Sequence, residues 1–306
     1  MITIEKFLHP DCIPDRQEII ALLSLQRPED IERLRYCAEQ LLLKLRGKEV
    51  YFRGLIEFSN ICRCDCFYCG IRKCNTSVFR YTLSKEQIVQ SAVWCAQQGY
   101  GSVVLQSGER SDSMFADFVE ECIRNIKNQT MSQQLPEGVG ITLSCGEQTE
   151  ETYQRWFDAG AHRYLLRIES SAPELFASLH PSAQKLQPRI EALRTLKKIG
   201  YKVGTGVMIG LPGQTIENLA DDILFFRDID ADMIGMGPYI VHNATPLAHI
   251  KDEIAAQSET IFQLSQKMIA VTRLTLKDVN IAASTALQAM KEDGRETGLT
   301  FGANVI

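Results

Sequence analysis

Residues 50–72 read VYFRGLIEFSNICRCDCFYCGIR. The first ten are rich in β-branched and aromatic side chains and predict a strand over 50–59 that runs straight into a group of cysteines. A strand that ends on a loop of chemistry-bearing side chains is the repeating unit of α/β barrels, whose active sites sit at the carboxyl ends of the strands. If 50–59 is the first strand of such a barrel, strands and helices must alternate through the rest of the chain.

They do. Ser84 opens SKEQIVQSAVWCAQQG, with Gln87 as its capping-box partner and Gly99 as its stop. A strand follows at 101–109 (GSVVLQSGE), then a helix over 114–128. The polar stretch 128–136 reads as a loop insertion. Further strand and helix pairs are predicted at 141–147 and 149–160, at 163–170 and 188–199, at 201–210 and 216–229, and at 232–241 and 253–276. NIAAST (280–285) gives a seventh strand and FGANVI (301–306) an eighth. Eight strands with intervening helices point to an α/β fold, a (β/α)8 TIM-type barrel, rather than a doubly wound open sheet. No helix follows the eighth strand, so the last helix is expected to be missing or truncated.

Upstream, residues 14–46 read as helical: Ile19, Ile20, Leu22 and Leu23, then Ile31, Leu34, Leu41, Leu42 and Leu45 recur at helical spacing, with a break at Pro28. The expected organisation is an N-terminal helical segment, residues 1–48, packing on a barrel of residues 49–306.

Composition narrows the function. The 306 residues are 45% hydrophobic and 23% charged, as in an ordinary globular protein, and the net charge of −5 argues against a nucleic-acid partner. No apolar run is long enough to span a membrane, and MITIEKFLHPDC lacks the layout of a signal peptide. A cytoplasmic protein with no membrane partner is expected. Ten cysteines in a chain of this size and compartment do not suggest disulfides. Five of them, Cys62, Cys64, Cys66, Cys69 and Cys74, fall within thirteen residues, whereas Cys12, Cys37, Cys95, Cys122 and Cys145 are scattered and read as small buried hydrophobes.

Within the cluster only Cys62, Cys66 and Cys69 give C-x3-C-x2-C. Three thiolates on a tight loop can ligate three irons of a [4Fe–4S] cubane and leave the fourth open, unlike the four-cysteine sites of electron carriers. Zinc is the competing reading, with Cys66 and Cys69 as half of a four-cysteine site, but no second C-x2-C pair exists elsewhere in the chain. Cys64 and Cys74 stay open, as bystanders or redox-sensitive neighbours. The five histidines show no metal-ligand spacing.

C-x3-C-x2-C with Tyr68 before the last cysteine resembles the signature of the radical S-adenosylmethionine (SAM) family. More narrowly, LIEFSNICRCDCFYCGIR, RYTLSKEQIV, VVLQSGE, ITLSCGE, DAGAHRYLLRIES, GVMIGLPGQTIENLADD, DMIGMGPYI and FGANVI are similar to stretches of the HydE-type maturases of [FeFe]-hydrogenase. That branch also holds biotin synthase and methylornithine synthase. The resemblance implies a [4Fe–4S] cluster on Cys62, Cys66 and Cys69, SAM chelated at the open iron, and a 5′-deoxyadenosyl radical made by reductive cleavage. It implies a small-molecule or organometallic iron substrate carrying cysteine, carbon monoxide and cyanide, other hydrogenase maturases, and an electron donor.

The same resemblance assigns further residues. Tyr68 contacts the adenine through its backbone; Ser107, Gly108 and Glu109 stand where the family holds the methionyl amino group; Arg189 clamps the SAM carboxylate, a task suited to a bidentate guanidinium. Arg167 and Glu169 alternate on one strand and so share a face, Glu169 for SAM and Arg167 for substrate. Thr142 and Ser144 alternate likewise, Ser144 near SAM and Thr142 near substrate, while Ser284 and Thr285 supply an anion site. Met208 packs by the adenosyl group. Gly204, Gly206 and Gly210 are spaced wrongly for a dinucleotide fingerprint and are expected to admit the adenosyl moiety. Met233 and Met236 line the cavity or fill the core. The alternatives are another radical SAM enzyme of the branch, similar to methylornithine synthase or a paralogue acting on a sulfur-containing small molecule, and an iron–sulfur scaffold without SAM chemistry. Biotin synthase is disfavoured by the lack of ligands for a second, sacrificial cluster.

Overall fold

The computed structural model describes residues 3–306. Its frame is a single parallel sheet of β1 (Gly54–Ser59), β2 (Ser102–Ser107), β3 (Gly140–Ser144), β4 (Arg163–Leu165), β5 (Lys202–Thr205), β6 (Met208–Ile209), β7 (Met233–Pro238) and β8 (Asn280–Ala283). The strands run in the order β1-β2-β3-β4-β5-β7, with β6 and β8 also paired to β7. Alternation along each strand sorts the two faces. Ile56, Phe58, Val103, Leu105, Ile141, Leu143, Tyr164, Val203, Ile234 and Ile281 enter the hydrophobic core under the helices. Glu57, Gln106, Ser144, Arg163 and Arg167 take the opposite phase and stay exposed or half-buried, so the inner face of the curled sheet carries polar side chains beside Leu55, Val104 and Leu165.

The sheet's two edges meet through the last residues of the chain. Val305 bridges Tyr51 on one side and Ala282 on the other, both in parallel. The Ile306 N–H donates to the Tyr51 carbonyl at 2.9 Å, and the Ala283 N–H to the Val305 carbonyl at 2.9 Å. The expected eighth strand therefore reduces to its last three residues, 304–306, after a turn at 301–302. Two short helices, α11 (Thr285–Met290) and α12 (Gly294–Thr300), precede it, where no helix was expected.

The helices begin where side chains can cap them. Ser84 and Gln87 form a capping box at α3 (Lys85–Gln97), as do Thr215 and Asn218 at α8 (Ile216–Asp228). The N-terminal helices α1 (Arg16–Leu23) and α2 (Pro28–Arg46) bury Ile19, Leu22, Leu23, Leu34 and Leu41 in the same core as the strands. α2 lies along α10 (Ser258–Leu276) and α1 along α8, where Arg16 holds Asp221 bidentately at 2.6 and 2.9 Å.

Other expectations are corrected. The helix expected over 253–276 breaks at Gln257 into α9 (Lys251–Ala256) and α10. The strand expected over 201–210 splits into β5 and β6 around Gly206, where an added Cβ would lie 1.8 Å from the Gly235 carbonyl oxygen. Gly206 thus serves close approach between strands, and Gly210, at φ +85°, faces Ile261. Met236 fills the core, whereas Met233 lines a cavity at the amino ends of the strands. α6 (Pro173–Leu179) was not foreseen; it joins α4 (Ser113–Thr130), α5 (Glu150–Asp158) and α7 (Leu186–Ile199) in the outer layer. Among the described residues no helix is long and apolar enough to cross a membrane.

Candidate active site at the carboxyl end of β1

The cysteine loop, residues 60–76, leaves the carboxyl end of β1 and is held in shape by polar side chains within and just after it. Arg80 donates from Nη1 to the carbonyls of Asn60 (2.6 Å) and Ile71 (2.8 Å), and from Nη2 to those of Arg72 (2.7 Å) and Asn75 (3.1 Å). One guanidinium so gathers four carbonyls of the irregular backbone, of which that of Arg72 also accepts the Asn75 N–H at 3.0 Å. Asp65 accepts from Arg72 Nη2 at 2.6 Å and from the Cys74 N–H at 3.0 Å, and Asn75 Nδ2 donates to the Gly70 carbonyl at 2.6 Å. Gly108 lets the loop lie against the end of β2, since a Cβ there would meet the Ile61 carbonyl oxygen at 2.5 Å.

All three signature thiols are half-buried and free of disulfides. The Glu109 N–H donates to Cys62 Sγ at 3.3 Å. The adjoining Cys64 first, and then the Glu109 N–H, hold Cys62 below the usual thiol range. Burial pushes Cys69 up to about 11 and raises Cys66 as well. Cys64 points its thiol at Glu109 Oε1, 3.2 Å away, and Cys74 is exposed. Among the described residues no group of three cysteine, histidine or acidic side chains is gathered tightly enough for a single metal ion. A cubane does not ask for such convergence, because each thiolate takes a different iron. Three free thiols on one loop, two of them facing N–H donors (the second is the Gln184 side chain), are a donor set that fits that group.

Beside the thiols stands a charged cluster. Glu109, 8% exposed, receives Arg63 Nε on Oε1 at 2.9 Å and the Glu147 N–H on Oε2 at 2.9 Å. Arg189 is also 8% exposed, so it is not a solvated helix residue: its Nε donates to Glu147 Oε1 at 2.6 Å and its Nη1 to the Arg167 carbonyl at 3.0 Å. Its Nη2 stands 3.7 Å from Glu109 Oε2. Gly146, at φ +74°, makes the room, because a Cβ there would lie 2.3 Å from Glu109 Cγ. Ser107 donates its hydroxyl to the Gly108 carbonyl at 2.8 Å. Cys64, Glu109, Glu147, Gln184 and Arg189 line one cavity of about 530 Å³.

The second wall comes from the end of β4. Glu169 has φ +62°, a left-handed conformation rare outside glycine, and is buried at 8% exposure. Arg167 Nη2 lies 3.0 Å from Glu169 Oε2, yet that oxygen accepts no well-directed hydrogen bond, and neither does Arg167 Nε donate one. Two buried polar atoms without a well-directed hydrogen bond are what a polar ligand would satisfy. The backbone after Glu169 is anchored by Asp222 on α8, whose Oδ1 accepts both the N–H and the hydroxyl of Ser171 at 2.6 Å. Burial pushes Asp222 up to about 7. Tyr68 packs with Met208, Leu179, Leu211 and Tyr239 in a small apolar cluster separate from the main core. His180 is held down to about 4 by burial and is neutral at pH 7. Its Nδ1, 2.8 Å from the Phe176 carbonyl, therefore carries the proton, and Nε2 accepts from the Tyr68 hydroxyl at 3.2 Å.

The remaining expected residues stand on β3 and just after β8. Thr142 faces the cavity at the amino ends of the strands with Arg53, Arg163 and Asn280, and its buried hydroxyl has no partner. Ser144, one inward position nearer the cysteine loop, is half-buried beside Gln106. Ser284 precedes α11 with its hydroxyl buried and unpartnered, while Thr285 is exposed and accepts Arg295 Nη2 at 2.7 Å. Residues not singled out from the sequence take prominent places: Arg80, Glu147, His180, Gln184 and Asp222. Glu147 could have been found, since C-G-E at 145–147 echoes S-G-E at 107–109.

Comparisons with known proteins follow the same lines. A family model described as the radical SAM superfamily matches residues 56–226. The chain is 44% identical over 291 residues to the [FeFe] hydrogenase maturase subunit HydE of Thermotoga maritima, covering 95% of this chain and 79% of that protein. It is 27% identical to the 3-methylornithine synthase of Methanosarcina acetivorans, over 94% of this chain and 77% of the relative. Among solved structures, methylornithine synthase (PylB) superposes with a TM-score of 0.85 at 25% identity, over 99% of this chain and 85% of that one. HydG, a maturase of the [FeFe]-hydrogenase, shares the fold with a TM-score of 0.83 at 18% identity, over 99% and 66%. The loop, the barrel and the extent of identity agree: the chain is a radical SAM enzyme and belongs to the family of the [FeFe] hydrogenase maturase subunit HydE.

Proposed function

We propose that the chain binds a [4Fe–4S] cluster through Cys62, Cys66 and Cys69 and uses it on SAM as a HydE-type maturase in assembly of the [FeFe]-hydrogenase di-iron centre. When bound, the cluster supplies the electron that splits the SAM sulfonium and releases a 5′-deoxyadenosyl radical. Glu109 accepts the methionyl ammonium; its carboxylate has about four acceptor sites, so Arg63 and the Glu147 N–H can stay in place. Arg189 takes the methionyl carboxylate, turned toward the site by Glu147, and Glu169 takes a further polar group of SAM. Tyr68 offers its backbone to the adenine and Met208 an apolar side chain beside it. Arg167, Thr142, Ser284 and Thr285 are assigned to an anionic, cysteine-bearing organometallic iron substrate inside the barrel. Work in the cytoplasm beside sister maturases and an electron donor completes the reading.

The observation that carries it is the shared wall: the Glu109 backbone holds Cys62 while the Glu109 side chain gathers Arg63, Glu147 and Arg189. The test is an anaerobic maturation assay with apo-hydrogenase, the other maturases and this protein loaded with iron. Hydrogenase activity that depends on this protein is expected. A fully loaded, SAM-cleaving preparation that gives none would overturn the maturase role and favour another reaction of the same branch.

A further inference from the structure

Residues 179–184, between the end of α6 and the start of α7, form a strap across the cysteine loop and touch three consecutive residues of it. The Phe67 N–H donates to the Leu179 carbonyl at 2.9 Å, and the Tyr68 hydroxyl pairs with His180 Nε2 at 3.2 Å. The Gln184 amide lies against Cys66 Sγ, with Nε2 at 3.6 Å and Oε1 at 3.8 Å. The Gln184 N–H donates to the Pro181 carbonyl at 2.8 Å, which fixes the turn that presents the side chain. Sulfur can donate to Oε1 only while it is a thiol. An iron-bound thiolate has no proton and only accepts, so in the loaded protein Nε2 is the atom that must face it.

We propose that Gln184 sets the reduction potential of the cluster by donating its side-chain N–H to the Cys66 sulfur. This rests on the cluster assignment made above and adds a role for a residue outside the cysteine motif. Reduction adds negative charge that is shared with the ligand sulfurs. An N–H aimed at one of them stabilises the reduced form more than the oxidised form and raises the potential. Cys62 has a comparable donor, but it is the Glu109 backbone N–H. At Cys66 the donor is a side chain, which can be exchanged without altering the main chain.

Gln184→Met keeps the length of the side chain and removes the donor. The one-electron reduction equilibrium is expected to fall about tenfold, which equals a potential about 59 mV lower for a one-electron couple. Gln184→Glu, of equal length, is expected to show a potential that falls as pH rises through the titration of the new carboxyl, whereas the wild type shows no such fall. The measurement is a redox titration of the [4Fe–4S]⁺ EPR signal, without SAM, on proteins matched for iron and sulfide. A strap residue that merely packs would leave the potential where it is, so a normal signal at the wild-type potential in both variants overturns the role of Gln184 and leaves the cluster assignment intact. A wild-type protein with no [4Fe–4S] signal overturns both. If Gln184→Met does not load, wild-type protein labelled with ¹⁵N in glutamine side chains decides. A ¹⁵N coupling to the reduced cluster supports the hydrogen bond, and its absence contradicts it.

Discussion

At the scale of single residues, the site separates groups that make chemistry from groups that hold them. On the proposed reading Cys66 belongs to the first kind: it is half-buried, lies on an irregular loop and is not among the buried core residues. Cys66→Ala is expected to abolish SAM cleavage while circular dichroism and the thermal midpoint stay near wild type; cleavage retained in a fully iron-loaded variant would remove Cys66 from the ligand set. Asp222 belongs to the second kind. Burial, with Glu169 and Asp221 as like-charged neighbours, pushes it up to about 7, and its Oδ2 has no partner. A carboxyl whose pKa is raised on folding stabilises fully below its unfolded pKa, and that stability is lost as pH rises through the folded value. Asp222→Asn keeps an acceptor for Ser171 and cannot ionise. Its stability relative to wild type should therefore rise between about pH 4 and pH 8, by up to about 4 kcal/mol, as read by urea unfolding across pH. A pH-independent difference would show that Asp222 does not titrate in this window.

At the scale of elements, the cysteine loop has no regular structure, so its conformation rests on side chains. Arg80 carries most of this, with four carbonyl contacts. Arg80→Lys keeps the charge but not the planar fork. Loss of iron to a chelator should quicken about tenfold, at about 1 kcal/mol per lost hydrogen bond, with little change in thermal midpoint; unchanged iron retention would contradict the role. This is also where the sequence was hardest to read. C-x3-C-x2-C is a local spacing and was legible, as were Ser84 and Gln87, because a capping box spans four residues. The partners of the loop were not legible. Gln184 and His180 reach it from more than a hundred residues away, and no local pattern encodes that meeting. The left-handed Glu169 was hidden for the same reason: nothing in R-I-E-S announces a positive φ that Asp222 and the Ser171 turn hold in place.

At the scale of the molecule, alternation of strand-like and helix-like segments was enough to expect a barrel, because each unit repeats a pattern of buried and exposed positions. What alternation could not tell was how the barrel is joined. The seam depends on two buried polar residues. Arg273, fully buried on α10, donates to the carbonyls of Gly302 (3.0 Å), Lys277 (2.6 Å) and Val279 (2.6 Å) and to Asn304 Oδ1 (3.3 Å). Asn304 Oδ1 also accepts the Ile281 N–H at 2.9 Å. In the sequence Arg273 looks like one more charge on a helix face; its role exists only once residues 302–304 return to β8. Arg273→Met would leave the three backbone carbonyls unpaired and should destabilise the fold on the order of 3–5 kcal/mol, read as a thermal midpoint several degrees lower. A shift within about 1 °C would mean that water replaces the guanidinium at the seam.

On the proposed reading this barrel presents three thiolates to a [4Fe–4S] cluster with one iron left for SAM. The most direct measurement is EPR of the anaerobically reconstituted, dithionite-reduced protein with and without SAM. A [4Fe–4S]⁺ signal whose g-values move on addition of SAM is predicted, as direct coordination at an open iron requires. A clear cluster signal indifferent to SAM, or stoichiometric zinc with no iron, would contradict it.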